Sequence, residues 1–373
     1  MGIKNTGNDD SPVYPSIGVN SGQVMTVLGP EPVEDMGITL THEHILSDCG
    51  CNGPAPEEAS RKSIFFQPVK MEILGEIRML PQCNRDNQML TDVDLAAEEV
   101  AKFRHWGGET IVEVTNLGLG RDPLGLQQVS RRSDVRIIMG SGFYISASHS
   151  DLMQAMSVDD IAEEIVCDVT KGVPGTGVRA GIIGEIAIDL EFNADEEKSL
   201  RGAARAAKRT QVPLSVHLPG AVPQDYAPRV LDIVEEEGAD LKHMVFCHVQ
   251  LHSRGFEDQA ALAERGVFLG YDGISCDFDW GIRGVAPSDE ENAVDIKRLI
   301  DAGYLHHILL SHDVHIKIML TRYGGFGYAY ILRRFVNRLR AHGVTDEQIE
   351  TLLIRNPRRL FSSKHRKVSS NTV

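Results

Sequence analysis

The feature that most constrains the fold is an eightfold alternation of short apolar segments and longer amphipathic ones. The short segments are rich in Val, Ile and Leu, as buried strands are, and the longer ones have the apolar spacing of helices. The predicted strands are Ile38–Thr41, Thr110–Thr115, Val135–Gly140, Gly181–Ile186, Pro213–Leu218, Met244–His248, Val267–Tyr271 and His307–Ser311. The predicted helices include 95–106, 158–171, 196–210, 227–237, 259–265 and 290–302. This order predicts an α/β protein with a parallel sheet.

Two architectures are compatible with this alternation, a closed barrel and an open doubly wound sheet. The open sheet would ordinarily show a glycine-rich phosphate loop after its first strand, and neither GxGxxG nor a P-loop stands there. We therefore predict a (β/α)8 TIM barrel over residues 23–362. The segment from Cys49 to Thr91 is too long for an ordinary loop and predicts extra helices over the barrel mouth. Residues 1–22 and 363–373 are predicted to be a flexible arm and a flexible tail.

The net charge and the cysteine content limit the possible binding partners and the expected cellular compartment. The formal net charge is −15, which disfavours nucleic acid and anionic membrane surfaces. The six cysteines show no small-domain disulfide pattern, and no stretch has the apolar run of a secretory signal or a membrane span. We expect a cytoplasmic protein with free thiols that acts on a small molecule as a homodimer.

Potential metal ligands recur at the carboxyl ends of the predicted strands. His42 and His44 follow strand 1 in Thr-His-Glu-His. The other candidates close strands 4, 5, 6 and 8, and they are Glu185, His217, His248 and Asp313. In a barrel these ends converge on one rim, where such folds carry their chemistry. Four imidazoles and two carboxylates suit zinc or a similar divalent ion.

The spacing of these residues indicates how they share two cations. His42 and His44 are two apart on an extended strand, so both side chains point to one face and can hold the same ion. Glu185 can bridge two ions through its two oxygens. His217 and His248 then hold the second ion.

Each acid and histidine also has a purely structural interpretation. Asp313 can contact the first ion and accept a proton from a bridging water, but it could instead cap the helix that follows. Glu185 could pair with Arg179, and His217 and His248 could be hydrogen-bonded residues at strand ends. Five such coincidences at five strand ends, in the right order, are required for the structural interpretation. The sequence therefore favours the metal site.

For residues near the candidate ligands, the sequence gives less specific predictions. Glu43 lies between the first two histidines and points the opposite way, which favours packing or a contact behind the site. Tyr144 after strand 3 and Tyr271 after strand 7 are candidates to line a substrate pocket. His312 and His315 flank the last acid; one could support that loop, although an ordinary structural role is favoured for both.

The motifs form one combination, found in Gly37–His44, Ile111–Thr115, Gly120–Asp122, Gly142–Tyr144, Gly181–Glu185, Val216–His217, Cys247–His248, Ser311–Asp313, Arg322–Gly325 and Asn356–Arg359. Together they resemble the phosphotriesterase family of the amidohydrolase superfamily, and within it the phosphotriesterase-related proteins. The resemblance covers nearly all of residues 23–362.

This resemblance implies a barrel with two divalent cations, zinc first and manganese or cobalt as alternatives, and a bridging hydroxide. The more buried ion would be held by His42, His44 and Asp313, the more exposed one by His217 and His248, and both by Glu185. The best-studied members bridge their ions with a carboxylated lysine. Strand 4 of this chain has no lysine, and a glutamate at this place is known in the phosphotriesterase-related branch. We therefore predict a centre that assembles without bicarbonate.

The resemblance leaves three substrate classes open: lactones or other carboxylic esters, small N-acyl amides, and organophosphate triesters. The segment Tyr271–Trp280 lacks the arginine expected from members that open acyl-homoserine lactones. A lactone or ester is the first choice, an amide the second, and phosphotriesters a side activity. A non-catalytic metal-binding or ligand-binding barrel is the alternative from another class, and the presence of all six ligands argues against it. A metal-free aldolase would need a lysine at a strand end, and none is found there.

Overall fold

The computed structural model describes residues 22–362, apart from 54, 221, 277 and 281–283. The predicted arm (1–22) and tail (363–373) lie outside the described residues, except for Gly22. Eight strands follow the predicted order: β1 Thr39–Glu43, β2 Thr110–Glu113, β3 Arg136–Met139, β4 Ile183–Ala187, β5 Leu214–His217, β6 Met244–Phe246, β7 Phe268–Tyr271 and β8 Ile308–Leu310.

The eight strands close into a ring. Strands β1 to β3 pair in parallel as one group, and β4 to β8 pair in parallel as another. Backbone hydrogen bonds join the two groups at both seams. The N–H of Gly181 donates to Met139 O at 2.9 Å between β3 and β4, and the N–H of Asp313 donates to His42 O at 3.2 Å between β8 and β1. The predicted (β/α)8 barrel is confirmed.

Helices follow the strands and cover the barrel. They are α1 Ala59–Phe65, α2 Leu74–Met79, α3 Val93–His105, α4 Pro123–Ser133, α5 Asp151–Ala155, α6 Val158–Thr170, α7 Ala194–Thr210, α8 Tyr226–Glu236, α9 Val249–His252, α10 Phe256–Glu264, α11 Asp289–Asp301, α12 Val336–Ala341, α13 Asp346–Glu350 and α14 Asn356–Phe361. The π-helical turns Ile331–Phe335 and Thr351–Arg355 lead directly into α12 and α14. None of the described helices has the length and apolarity needed to cross a membrane.

Local sequence explains where the larger helices begin and which face they bury. The Ser157 side chain accepts from Asp160 N, and the Asp160 side chain accepts from Ser157 N, so that two free N–H groups at the start of α6 are satisfied. Ile161, Ile165 and Val169 then recur on one side of α6 and are buried against the barrel.

The long segment after β1 folds over the carboxyl end of the barrel, as predicted. It contains α1 and α2, and Met89–Leu90 near its end pairs antiparallel with Ser47–Asp48, which precede it. The Arg85 guanidinium donates to both oxygens of Asp48 at 2.6 Å, which ties the far end of the segment to its beginning. We call this segment, Cys49–Thr91, the cap.

The opposite end of the barrel is plugged by apolar side chains. An antiparallel hairpin, Gln23–Thr26 with Gly29–Pro32, precedes β1. Val24 and Met36 from this region pack with Leu360 of α14 against the inward side chains of the strands. Among the described residues, this end of the barrel is closed, and the opposite end carries the predicted ligands.

Candidate metal centre

The structure brings all six predicted ligands together at the carboxyl end of the barrel. All except His217 and Asp313 are almost fully buried, and these two have side-chain exposures of 15% and 18%. The two more accessible groups lie on the side that faces the cleft.

One half of the cluster is formed by His42, His44 and Asp313. The Oδ1 atom of Asp313 lies 3.5 Å from Nε2 of His42 and 3.3 Å from Nε2 of His44. Glu185 approaches the same two imidazoles, with Oε1 3.3 Å from Nε2 of His44 and Oε2 3.6 Å from Nε2 of His42. Four donor atoms from three strands therefore surround one point.

The other half is formed by His217 and His248, again with Glu185. Oε2 of Glu185 lies 3.1 Å from Nδ1 of His217 and 3.8 Å from Nε2 of His248. The two ring nitrogens are 2.8 Å apart. Two ligand sets, each suited to one cation, thus share the carboxylate of Glu185.

The chemistry of the cluster fits divalent cations. Nε2 of His42 is buried and has no hydrogen-bond partner among the described residues, although a buried polar atom normally has one. Burial lowers the pKa of His44, but Asp313 and Glu185 outweigh it and raise that pKa to about 10. Burial raises the pKa of Glu185, but His217 and the other imidazoles hold it well below its usual value. Two carboxylates and an unpartnered buried nitrogen facing one point form a donor set that fits divalent cations.

Two of the predicted ligands have unusual backbone conformations. His248 has φ of 59° and Asp313 has φ of 55°, both in the left-handed region. Such a conformation costs a residue other than glycine on the order of 1–3 kcal/mol. Asp272, directly after β7, compensates at His248 by accepting its backbone N–H at 2.9 Å and its Nδ1–H at 2.7 Å. The second bond leaves Nε2 of His248 free to face the cluster.

Sequence reasoning missed two residues that orient ligands. Asp272 is one, and Thr115 is the other, with Oγ1 2.8 Å from Nδ1 of His44. Both lie within two residues of the end of a strand, so the rule that found the ligands could have found them. Asp272 directly follows Tyr271, the residue predicted from the sequence to line the substrate pocket.

The structural alternatives for the two acids do not apply in this fold. The Arg179 side chain donates to the carbonyl of Val169, while the Glu185 carboxylate faces imidazoles. The short helix after Asp313 begins at Lys317 and takes Ile316 as its N-cap, so Asp313 is not its cap.

A cleft opens above the cluster, between the cap and the loops that follow the strands. The rings of Trp280 and His315 lie 5.3 Å apart at 34° on its wall. None of the described lining residues is Lys or Arg. Most of the wall is apolar, with contributions from Pro81, Leu119, Tyr144, Ile145, Leu251, Trp280 and Ile316.

The two predicted pocket tyrosines have different positions. Tyr144 lines the cleft and places its ring edge-on to the His217 ring, with centroids 5.4 Å apart. Tyr271 is fully buried and does not line the cleft; its hydroxyl donates to Oε1 of Gln259 at 2.6 Å. The prediction for Tyr271 is corrected, because this side chain leaves the strand toward α10.

The sequence is similar to one known protein family and to known hydrolases. The sequence model of the phosphotriesterase family matches residues 22–361. The N-acetyltaurine hydrolase of Danio rerio is 32% identical over 350 residues, which are 92% of this chain and 99% of that protein. The corresponding Mus musculus protein is 33% identical over 358 residues, with the same two coverages.

Solved structures agree with the fold. A resiniferatoxin-binding protein from Rhodobacter sphaeroides is 49% identical and superposes with a TM-score of 0.89, covering 93% of this chain and 96% of that one. A lactonase from Listeria monocytogenes superposes with a TM-score of 0.73 at 23% identity, covering 92% of this chain and 100% of that one, and shows the shared fold alone. The family match, the identity to the hydrolases and the ligand cluster lead to one conclusion: the chain belongs to the phosphotriesterase family of metal-dependent hydrolases.

Proposed function

We propose that this chain uses two divalent cations, zinc first and manganese or cobalt as alternatives, to hydrolyse a small lactone or carboxylic ester. The observation that carries the proposal is the pair of ligand sets that share Glu185 beneath the cleft. When bound, two such cations would lower the pKa of a shared water toward about 7 and polarise the substrate carbonyl.

The protein residues then handle the proton and the substrate. Asp313 is the one carboxylate of the cluster with appreciable exposure to the cleft. It can accept the proton of the attacking water and return it to the leaving oxygen. Tyr144 and Trp280 offer flat apolar surfaces against which the acyl or alcohol part can pack.

Hydrolysis of a small N-acyl amide is the second candidate. Its support is the group of N-acetyltaurine hydrolases that are about a third identical over nearly their whole length. Most of the described wall of the cleft is apolar, which favours an uncharged substrate.

A substrate panel tests the proposal after the metal content has been measured. Lactones, carboxylic esters, N-acetyltaurine, uncharged N-acyl amides and phosphotriesters are compared by kcat/KM. We expect two metal equivalents and the highest values for a lactone or ester. A clear preference for N-acyl amides would establish the second candidate, and fewer than two equivalents with no turnover would exclude both.

The bridge supplied by Glu185 leads to a prediction about assembly. A carboxylated lysine needs carbon dioxide, whereas a glutamate carries its carboxylate already. Metal-free protein reconstituted with zinc in bicarbonate-free buffer should therefore regain the same metal content and activity as protein reconstituted with bicarbonate. Any stimulation by bicarbonate beyond experimental error contradicts the assigned bridge.

A further inference from the structure

A fully buried carboxylate, that of Glu43, lies behind the metal cluster on the other face of β1. All four of its hydrogen bonds come from the segment that carries Asp313. Oε1 accepts from Ser311 Oγ at 2.8 Å, and from N and Nδ1 of His312 at 2.9 and 2.8 Å. Oε2 accepts from the backbone N–H of Val314 at 2.9 Å.

The neighbouring histidine fixes the direction of these bonds. Nε2 of His312 is 3.0 Å from the backbone N–H of Ile331 and accepts from it. The proton of the neutral imidazole is therefore on Nδ1, which donates to Glu43. The Glu43 carboxylate is an acceptor in all four of its described contacts.

The contacts of Glu43 bracket the strained ligand. They fix the backbone N–H groups of His312 and Val314, the residues on either side of Asp313. Asp313 itself has φ of 55° and donates its N–H to His42 O. With both neighbours fixed, the Asp313 carboxylate is directed at the imidazoles of His42 and His44.

We propose that Glu43 is a positioning residue that holds Asp313 in its left-handed conformation and aims its carboxylate at the first cation. It acts through the backbone of 311–314 and touches neither the cation nor the substrate. The inference depends on the metal site proposed above. It assigns a positioning role to Glu43, the residue between the two histidines of Thr-His-Glu-His. Packing alone would not require a glutamate there.

Glu99 of α3 is a matched control, because it also binds the segment that follows β8. Glu99 is also buried, and it accepts from the backbone N–H groups of Thr321 and Arg322 at 3.0 Å each. Its contacts lie farther along the chain and include no neighbour of Asp313. Glu43→Gln and Glu99→Gln therefore each replace a buried carboxylate that accepts from backbone N–H groups of this segment, at different distances from Asp313, and Glu99→Gln also removes an ion pair with Lys102.

The test measures zinc binding by the metal-free full-length proteins against a competing chelator. We expect Glu43→Gln to weaken one of the two zinc sites by about 10–100-fold, as loss of a residue that orients a ligand typically does. Glu99→Gln should bind both ions like the wild type, even where it unfolds at lower denaturant concentration. His312→Gln keeps the carboxylate and removes one donor, and should weaken the same site by a smaller factor.

Crystal structures of metal-free wild type and Glu43→Gln separate this inference from the proposed function. In the variant, Asp313 should leave the left-handed region or move its carboxylate away from Nε2 of His44. An unmoved Asp313, wild-type zinc affinity, or an equal loss in Glu99→Gln overturns the inference. If Glu43→Gln does not fold, unchanged zinc affinity in His312→Gln does the same. A wild type that binds neither zinc, manganese nor cobalt overturns the proposed function, while the position of Asp313 still decides the role of Glu43.

Discussion

Replacing Asp313 by Asn is expected to lower kcat by about 10²–10⁴-fold, the usual contribution of a positioned acid or base. The amide keeps the shape of the side chain and an oxygen that can still face the first cation. It cannot take up the proton of the attacking water. We therefore expect the metal content, measured by elemental analysis, to stay near the wild-type value while steady-state turnover collapses.

Asp134→Asn is the control for this substitution. Asp134 also has φ of 55°, and its side chain is 84% exposed beside Arg104, away from the cleft. Asparagine tolerates the left-handed conformation as aspartate does, so this variant should turn over like the wild type. Near-wild-type kcat in Asp313→Asn would remove Asp313 from the proton pathway.

Removing the metals is expected to abolish hydrolysis and to destabilise the protein. Ions that bind only the folded state stabilise it by about 2.7 kcal/mol for each site held at 100 times its Kd. Without them, the clustered imidazoles and carboxylates remain buried with no shared partner. Chelated protein should show no turnover and a lower free energy of unfolding in a denaturant titration, and zinc, manganese or cobalt should restore both.

A chelator already saturated with zinc serves as the control for that experiment. It exposes the protein to the same reagent but removes no metal, so turnover and stability should be unchanged. Full activity in protein shown to be free of metal would contradict the proposed mechanism.

The fold could be predicted from the sequence because each strand and most crossover helices have a recognisable local pattern, although α4 was not among the predicted helices. All eight strands lie where the apolar runs predicted them, and helices such as α6 begin at capped residues. Periodicity distinguishes buried faces from exposed ones, and the absence of a phosphate loop favoured closure. The details of the cap could not be predicted, because its short helices depend on long-range contacts such as the one between Arg85 and Asp48.

The sequence also predicted that the six candidate ligands lie close together, because the carboxyl ends of the strands of a barrel meet on one rim. What surrounds the ligands did not follow from strand order. The choice of Tyr271 failed because a residue at the end of a strand can point inward or outward, and its partner Gln259 is on a helix. The hydrogen bonds between Glu43 and residues 311–314 join segments that are far apart in the chain. Such a contact cannot be predicted from spacing along the sequence.

The seam between the first and last strands has a consequence for the order of events during synthesis. Ser311, which accepts the N–H of His42, lies 269 positions later in the chain. A nascent polypeptide emerges with its two leading histidines long before the final acid is translated, and a pair of imidazoles alone retains zinc weakly. Tight binding of metal thus has to await synthesis and docking of the strand that precedes Asp313, so that metal is taken up only once the first and last strands have met.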